Sequence, residues 1–145
     1  MSFPNDAAAA LAGQHNRSLK VFHAFDIVEG PNGWRVHSRA YAYYVLAGRE
    51  IIAFHWHPGR GSVALPHAHF RTLNDPFPMG KAHMPTGRIS LEALVRLLID
   101  ELAVEPLRRD WRHVLTRTER NFIERRRWHG YPPSPGGPLE SRQST

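Results

Sequence analysis

Ten of the 145 residues are histidine, and five of them, His55, His57, His67, His69 and His83, fall within 29 positions. Imidazole exchanges a proton near neutral pH and also binds transition metals through a neutral nitrogen, so such crowding points to chemistry. Four of the five form two His-x-His triplets, His55-Trp56-His57 and His67-Ala68-His69. Residues two apart in an extended strand share a face, so each triplet presents two imidazoles side by side. If the two segments are neighbours in a sheet, four rings converge.

Two chemistries use that arrangement. In the first, one imidazole takes a 2′-hydroxyl proton from RNA and another protonates the leaving 5′ oxygen, each step worth about 10²- to 10⁴-fold. His67 and His69 are the acid and base candidates, with His55, His57 and His83 as helpers. Arg71 and Arg88 are placed to stabilise the phosphorane charge. Lys81, His83 and Arg88 also precede a helix start at Ser90, where backbone amides attract phosphate. Arg60, and Arg125, Arg126 and Arg127 beside Trp128, are further candidates for RNA phosphates, with the indole stacking on a base. A solvated arginine end that complements a helix C-terminus is the competing reading of that last cluster. In the second chemistry the imidazoles bind a divalent metal. No closely following acid other than Asp75 supplies a carboxylate ligand. The reading is therefore metal-free, with no metal ligands and no cofactor assigned, and a His-bound divalent ion left open. Any single ring also has a plain alternative as an edge-strand residue bonded to backbone. His15, His23, His37, His113 and His129 are scattered and receive no role, and Tyr41, Tyr43 and Tyr44 are read as sheet packing.

Composition narrows the class. The absence of cysteine removes disulfide frameworks and every thiolate zinc site. No signal-type leader and no apolar run of the roughly 20 residues that span a bilayer occur, which predicts a cytoplasmic protein without membrane contact. The net charge is +6, and eight arginines against three acids between Arg108 and His129 place most of it in one segment. A polyanion such as RNA meets that segment first.

The elements that must position these residues follow from periodicity. Residues 1–17 read as a flexible leader, 18–129 as a single domain and 130–145 as a disordered Pro/Gly-rich tail. Leu19 to Val28 is β-branched and aromatic and stops at Gly30-Pro31-Asn32-Gly33, a turn signature. A long second strand from Trp34 to Leu46, a turn at Ala47 to Glu50, a third strand from Ile51 to Trp56 and a short fourth near Pro66 to Phe70 complete a meander. Asn74 to Lys81 reads as a surface loop. Ser90 caps a helix whose Leu91, Leu94, Val95, Leu98 and Leu102 recur at helical spacing, and Pro106 ends it. A second helix is predicted over 108–127, with Trp111, Val114, Leu115, Phe122 and Ile123 near one face. The fold class is thus α+β, an antiparallel meander of about four strands packed against two C-terminal helices.

The order of these parts resembles the TumE family of toxins from toxin-antitoxin systems. The matching parts are Tyr43-Tyr44-Val45-Leu46, Gly48, Ile51 to His57, Gly59-Arg60-Gly61, His67-Ala68-His69 and Ser90-Leu91-Glu92-Ala93-Leu94, covering roughly residues 20 to 102. Where that family usually has Asp before the first His of its pair, this chain has Pro66. It also carries extra residues at Ser62 to Leu65 and before His83. The resemblance implies a toxin acting on RNA and neutralised by a separate, DNA-binding cognate antitoxin protein; the histidine cluster together with the basic helix makes a metal-independent ribonuclease the expected activity, with a homodimer also open. A non-catalytic nucleic-acid or protein-binding module and a His-ligated metalloprotein are the alternatives.

Overall fold

The computed structural model describes residues 8–13, 15–31, 33–59, 63–71 and 81–128. Its elements are β1 (Ala9–Leu11), β2 (Arg17–Gly30), β3 (Gly33–Ala47), β4 (Arg49–Trp56), β5 (His67–Phe70), β6 (Met84–Pro85), α1 (Leu91–Asp100), α2 (Trp111–Arg125) and β7 (Arg126–Trp128). The first six strands form one antiparallel meander in chain order, and the two helices follow, so the architecture is α+β. Among the described residues no helix is long and apolar enough to cross a membrane.

The hydrophobic core lies on one face of the sheet. Leu19, Tyr41, Tyr43, Val45, Phe54, Trp56 and Ala68 point to that face and pack against Leu94 and Leu98 of α1. Alternation along β4 and β5 decides this. Phe54 lies opposite both Tyr43 and Ala68 in the register, so all three share a side. Burying such a side chain contributes about 1.5–3 kcal/mol, which fixes which side of each strand turns inward. Arg39 is left over where Ala24 pairs with Ala40 and Phe25 with Ser38, and this bulge turns Ser38 into the core. There the buried Ser38 hydroxyl and the Tyr43 hydroxyl bond the two ring nitrogens of His23 at 3.0 and 3.3 Å. The ring of Phe122 in α2 stands edge-on 6.3 Å from that imidazole.

Three expectations shift at the ends of the chain. The leader predicted over 1–17 contributes structure: β1 pairs with residues 17–19 of β2, and Gly13 bridges Val104. The amide of Glu105 donates to the Ala12 carbonyl at 2.9 Å, and the Arg17 guanidinium donates to the Leu102 carbonyl. Leu11 packs against the core, which offsets the cost of ordering this segment. At Gly13, φ is +135° and a Cβ would sit 2.7 Å from the Ala103 carbonyl oxygen, so no larger residue fits. The second helix is shorter than 108–127. It begins at Trp111, after a turn in which Arg108 grips Asp110 through two 2.9 Å bonds, and it gives way to β7. β7 adds in parallel to Val36, His37 and Ser38 of β3, where β4 has already ended, so the backbone finds sheet partners instead of another helical turn. Ile123, placed by periodicity near the apolar face, is 50% exposed. Most of the predicted loop over 74–81, and the tail, lie outside the described residues.

Ser90 joins the two helices. Its backbone is extended (φ −75°, ψ 157°), and its hydroxyl oxygen accepts from the Ala93 amide at 3.0 Å. The same hydroxyl donates to Glu119 of α2 at 2.7 Å, while Arg96 donates to the other carboxylate oxygen at 3.1 Å. Ser90→Ala is expected to lower stability by about 1–2 kcal/mol through the lost cap, a fall readable as an earlier urea midpoint at unchanged slope. Ser90→Asp, which keeps a capping oxygen but repels Glu119, should recover only part of that loss.

Candidate functional site

The histidine segments are adjacent strands, and their register brings the rings together. β4 pairs with β5 so that His55 lies directly opposite His67 and Ala53 opposite His69. β6 then pairs Met84 with Ala68 and Pro85 with His67, which carries His83 alongside His69. Because Phe54, Trp56 and Ala68 take the core side, His55, His57, His67 and His69 emerge on the other side, which neither helix covers. The rings form a continuous ladder. Centroids are 5.5 Å apart for His55 and His57, 5.6 Å for His55 and His67, and 5.2 Å for His55 and His69. His67 and His69 are 5.1 Å apart, and His83 stands 4.9 and 4.7 Å from them.

Two features of the inner rings limit what they do. His67 is 5% exposed, and its Nδ1–H donates to the Leu65 carbonyl at 2.8 Å. That bond fixes the tautomer and leaves Nε2 with its lone pair. His55 is pushed down to about 4, first by burial and then by the imidazoles of His69, His57, His67 and His83, none of which tolerates a second charge close by. It is neutral at physiological pH. Its Nε2 is buried and has no hydrogen-bond partner among the described residues. The ring of Tyr44 stands edge-on 5.2 Å from His55 and closes that side. Tyr44 belongs to the site, not merely to sheet packing. The odd-even alternation that separates it from Tyr41 and Tyr43 was the available signal.

The cationic candidates divide. Arg71 continues the side of β5 that carries His67 and His69, and its guanidinium donates to Glu50 at 3.0 Å. Such a surface pair is worth about 0–1 kcal/mol. Lys81 is exposed two residues before His83. Arg88 goes elsewhere: its guanidinium lies over the Trp56 ring, 4.2 Å from the centroid, beside Tyr41 on the core side of the sheet. The expected grouping of Arg88 with the imidazoles fails because Trp56 and His55 are neighbours in sequence and so face opposite ways. Arg125 is exposed at the end of α2, Arg126 and Arg127 run in β7 along β3, and Arg60 lies outside the described residues.

A cleft of about 410 Å³ adjoins the ladder through His57, lined by Phe22, Ala24, Ala40 and Pro58 with the Asp26–Arg39 pair at its edge. A second hollow, between β1 and the helices, is bounded by Leu11, Val95, Leu98, Val104 and Trp111 on the opposite side of the sheet, away from the imidazoles.

Comparison with known proteins finds no matching family model, no similar curated protein and no similar solved structure. The TumE resemblance thus rests on its motifs alone.

The neutral imidazoles tie stability to pH. Folding lowers the pKa of His55, and burial does the same to His23, so below about 6.5 the unfolded chain binds more protons than the native one. Stability present above that pH therefore declines as pH falls toward about 4, where His55 itself charges. Urea unfolding at pH 7.5 and pH 5 should show the lower midpoint at pH 5, and His55→Gln should narrow the gap. An undiminished gap in the variant would place the acid sensitivity in other groups.

Proposed function

We propose that the chain is an RNA-directed toxin, a ribonuclease whose reactive centre is the imidazole ladder of His55, His57, His67, His69 and His83, neutralised in its host by a separate antitoxin. The observation that carries this reading is the convergence of five imidazoles on the sheet face that the helices leave open. Ring crowding of that kind is costly to charge and contributes nothing to the hydrophobic core, so packing does not explain it. The net charge of +6 and the arginine-rich second helix supply attraction for a polyanion, and the motif order resembles in part that of the TumE family.

The chemistry follows from the two kinds of ring. His67 holds a lone pair on Nε2, oriented by the Leu65 carbonyl, which is what a proton acceptor or a ligand atom requires. His83, the exposed ring next to it, can carry a proton in from solvent. Phosphate oxygens have Arg71 and Lys81 within the same neighbourhood. The cleft beside His57 offers small side chains under a passing strand, and Phe22, 40% exposed on its wall, gives a base a surface to stack on.

Expression of the wild-type chain should arrest growth and degrade cellular RNA. The His67→Ala, His69→Ala double variant should lose RNA cleavage by at least about 10²-fold while keeping its circular dichroism and its salt-sensitive RNA binding. Full growth arrest by a folded double variant would remove the catalytic assignment. Arginine replacements in α2 that abolish activity while the histidine variant retains it would identify a binding module instead.

A further inference from the structure

We infer that His55, His67 and His69 bind one divalent first-row transition ion of the zinc class, with an open coordination position on the side of His83. Each of the three rings offers one nitrogen, and these three atoms all lie within 4.8 Å of one another. Zinc holds imidazole nitrogens at about 2.0–2.1 Å, so nitrogens on one tetrahedral ion are roughly 3.3 Å apart. Small side-chain rotations cover that difference, with no strand movement. The inference deepens the preceding reading by naming what the reactive centre holds, but its evidence is the donor geometry and does not depend on RNA.

Three observations favour an ion over a set of mutually bonded rings. The Nδ1–H of His67 is committed to the Leu65 carbonyl, the outer partner that metal-binding histidines commonly have, and the remaining Nε2 is the only ring nitrogen His67 can offer a ligand. His55 Nε2 is buried without a hydrogen-bond partner among the described residues, and an ion held together with the neighbouring imidazoles would satisfy it. The ligands also sit on rigid ground. His55 and His67 are cross-strand partners on β4 and β5, while the reverse side of those strands is locked by Phe54, Trp56 and Ala68 in the core. A site held on strands in this way is organised before the ion arrives.

The donor set selects the ion. Three neutral imidazoles with no cysteine and no carboxylate in the group suit zinc, copper(II), nickel or iron(II), and they exclude the oxygen-seeking magnesium and calcium. Three protein ligands with a fourth position open is the arrangement of reactive rather than structural zinc sites, where the bound water becomes acidic near neutral pH. His83 stands at that open side, exposed and 4.9 Å from His67. It is placed to exchange a proton with a group on the ion.

The test uses untagged full-length protein, stripped with a chelator and dialysed. Titration with zinc, followed by competition against a colorimetric chelator, should give one equivalent. Cobalt(II) should give the intense visible bands of a four-coordinate site. His55→Ala, His67→Ala and His69→Ala should each weaken zinc binding by at least about 100-fold, whereas His113→Ala, an exposed ring on α2, should leave it unchanged. Zinc should raise the Tm of the wild-type chain but not that of a variant whose circular dichroism shows it folded. Stripped wild-type protein that binds zinc no better than a variant carrying His55→Ala, His67→Ala and His69→Ala together, or that takes up several equivalents indifferent to the single changes, would overturn the inference. RNA cleavage is scored separately. One tight equivalent without cleavage keeps the site and removes the nuclease, and cleavage by stripped protein that binds no zinc does the reverse.

Discussion

The pairing of β4 with β5 in the register that sets His55 opposite His67 is the constraint on which everything else depends. Successive residues of a strand face opposite ways, so the burial of Phe54, Trp56 and Ala68 obliges His55, His57, His67 and His69 to face outward together. Slipping one strand by a single residue would drive imidazoles into the core and expel its largest side chains. The hydrophobic effect, acting on Trp56 and its neighbours, therefore assembles the site on the far side of the sheet. Each buried aromatic contributes about 1.5–3 kcal/mol to holding that register.

Once gathered, the rings alter one another. Each protonated imidazole raises the cost of charging the next, and partial burial adds to that cost, so His55 stays neutral where a solvated histidine would begin to titrate. His67 is oriented in a different way, by the Leu65 carbonyl that accepts from its Nδ1–H and leaves Nε2 facing away from the backbone bond. One nitrogen from each of His55, His67 and His69 lies within 4.8 Å of the others. His83 is the exposed ring of the group, next to His67 and His69.

The helical side has a different task, to cover the core face of the sheet. Ser90 caps α1 and binds Glu119 of α2, and the amide of Ile89 donates to the Tyr41 hydroxyl at 3.2 Å, so the start of the helical layer is tied to the strand at the centre of the core. Stacked over Trp56, Arg88 extends that seal. The segment around Gly13 closes the other end by bridging Val104 beyond α1. Disturbing any of these changes how firmly β4 and β5 are backed, and hence how firmly the imidazoles are held.

Much of this was legible in the chain. Local pattern dictated the meander, the Gly30 to Gly33 turn, the capped helix at Ser90 and the same-side placement within each His-x-His pair, because strand and helix periods and cap chemistry act over a few residues. The placement of Arg88 over Trp56 and of Tyr44 beside His55 was not legible, since both depend on which side of a neighbouring strand becomes core. β1, β6 and β7 were missed for a related reason: strands of two or three residues carry no period of their own and form only where an existing sheet offers an unpaired edge. The sequence by itself determined that pairs of imidazoles would stand side by side. Tertiary structure alone decided that the pairs would meet, because register is set by burial summed across strands that lie far apart in the chain.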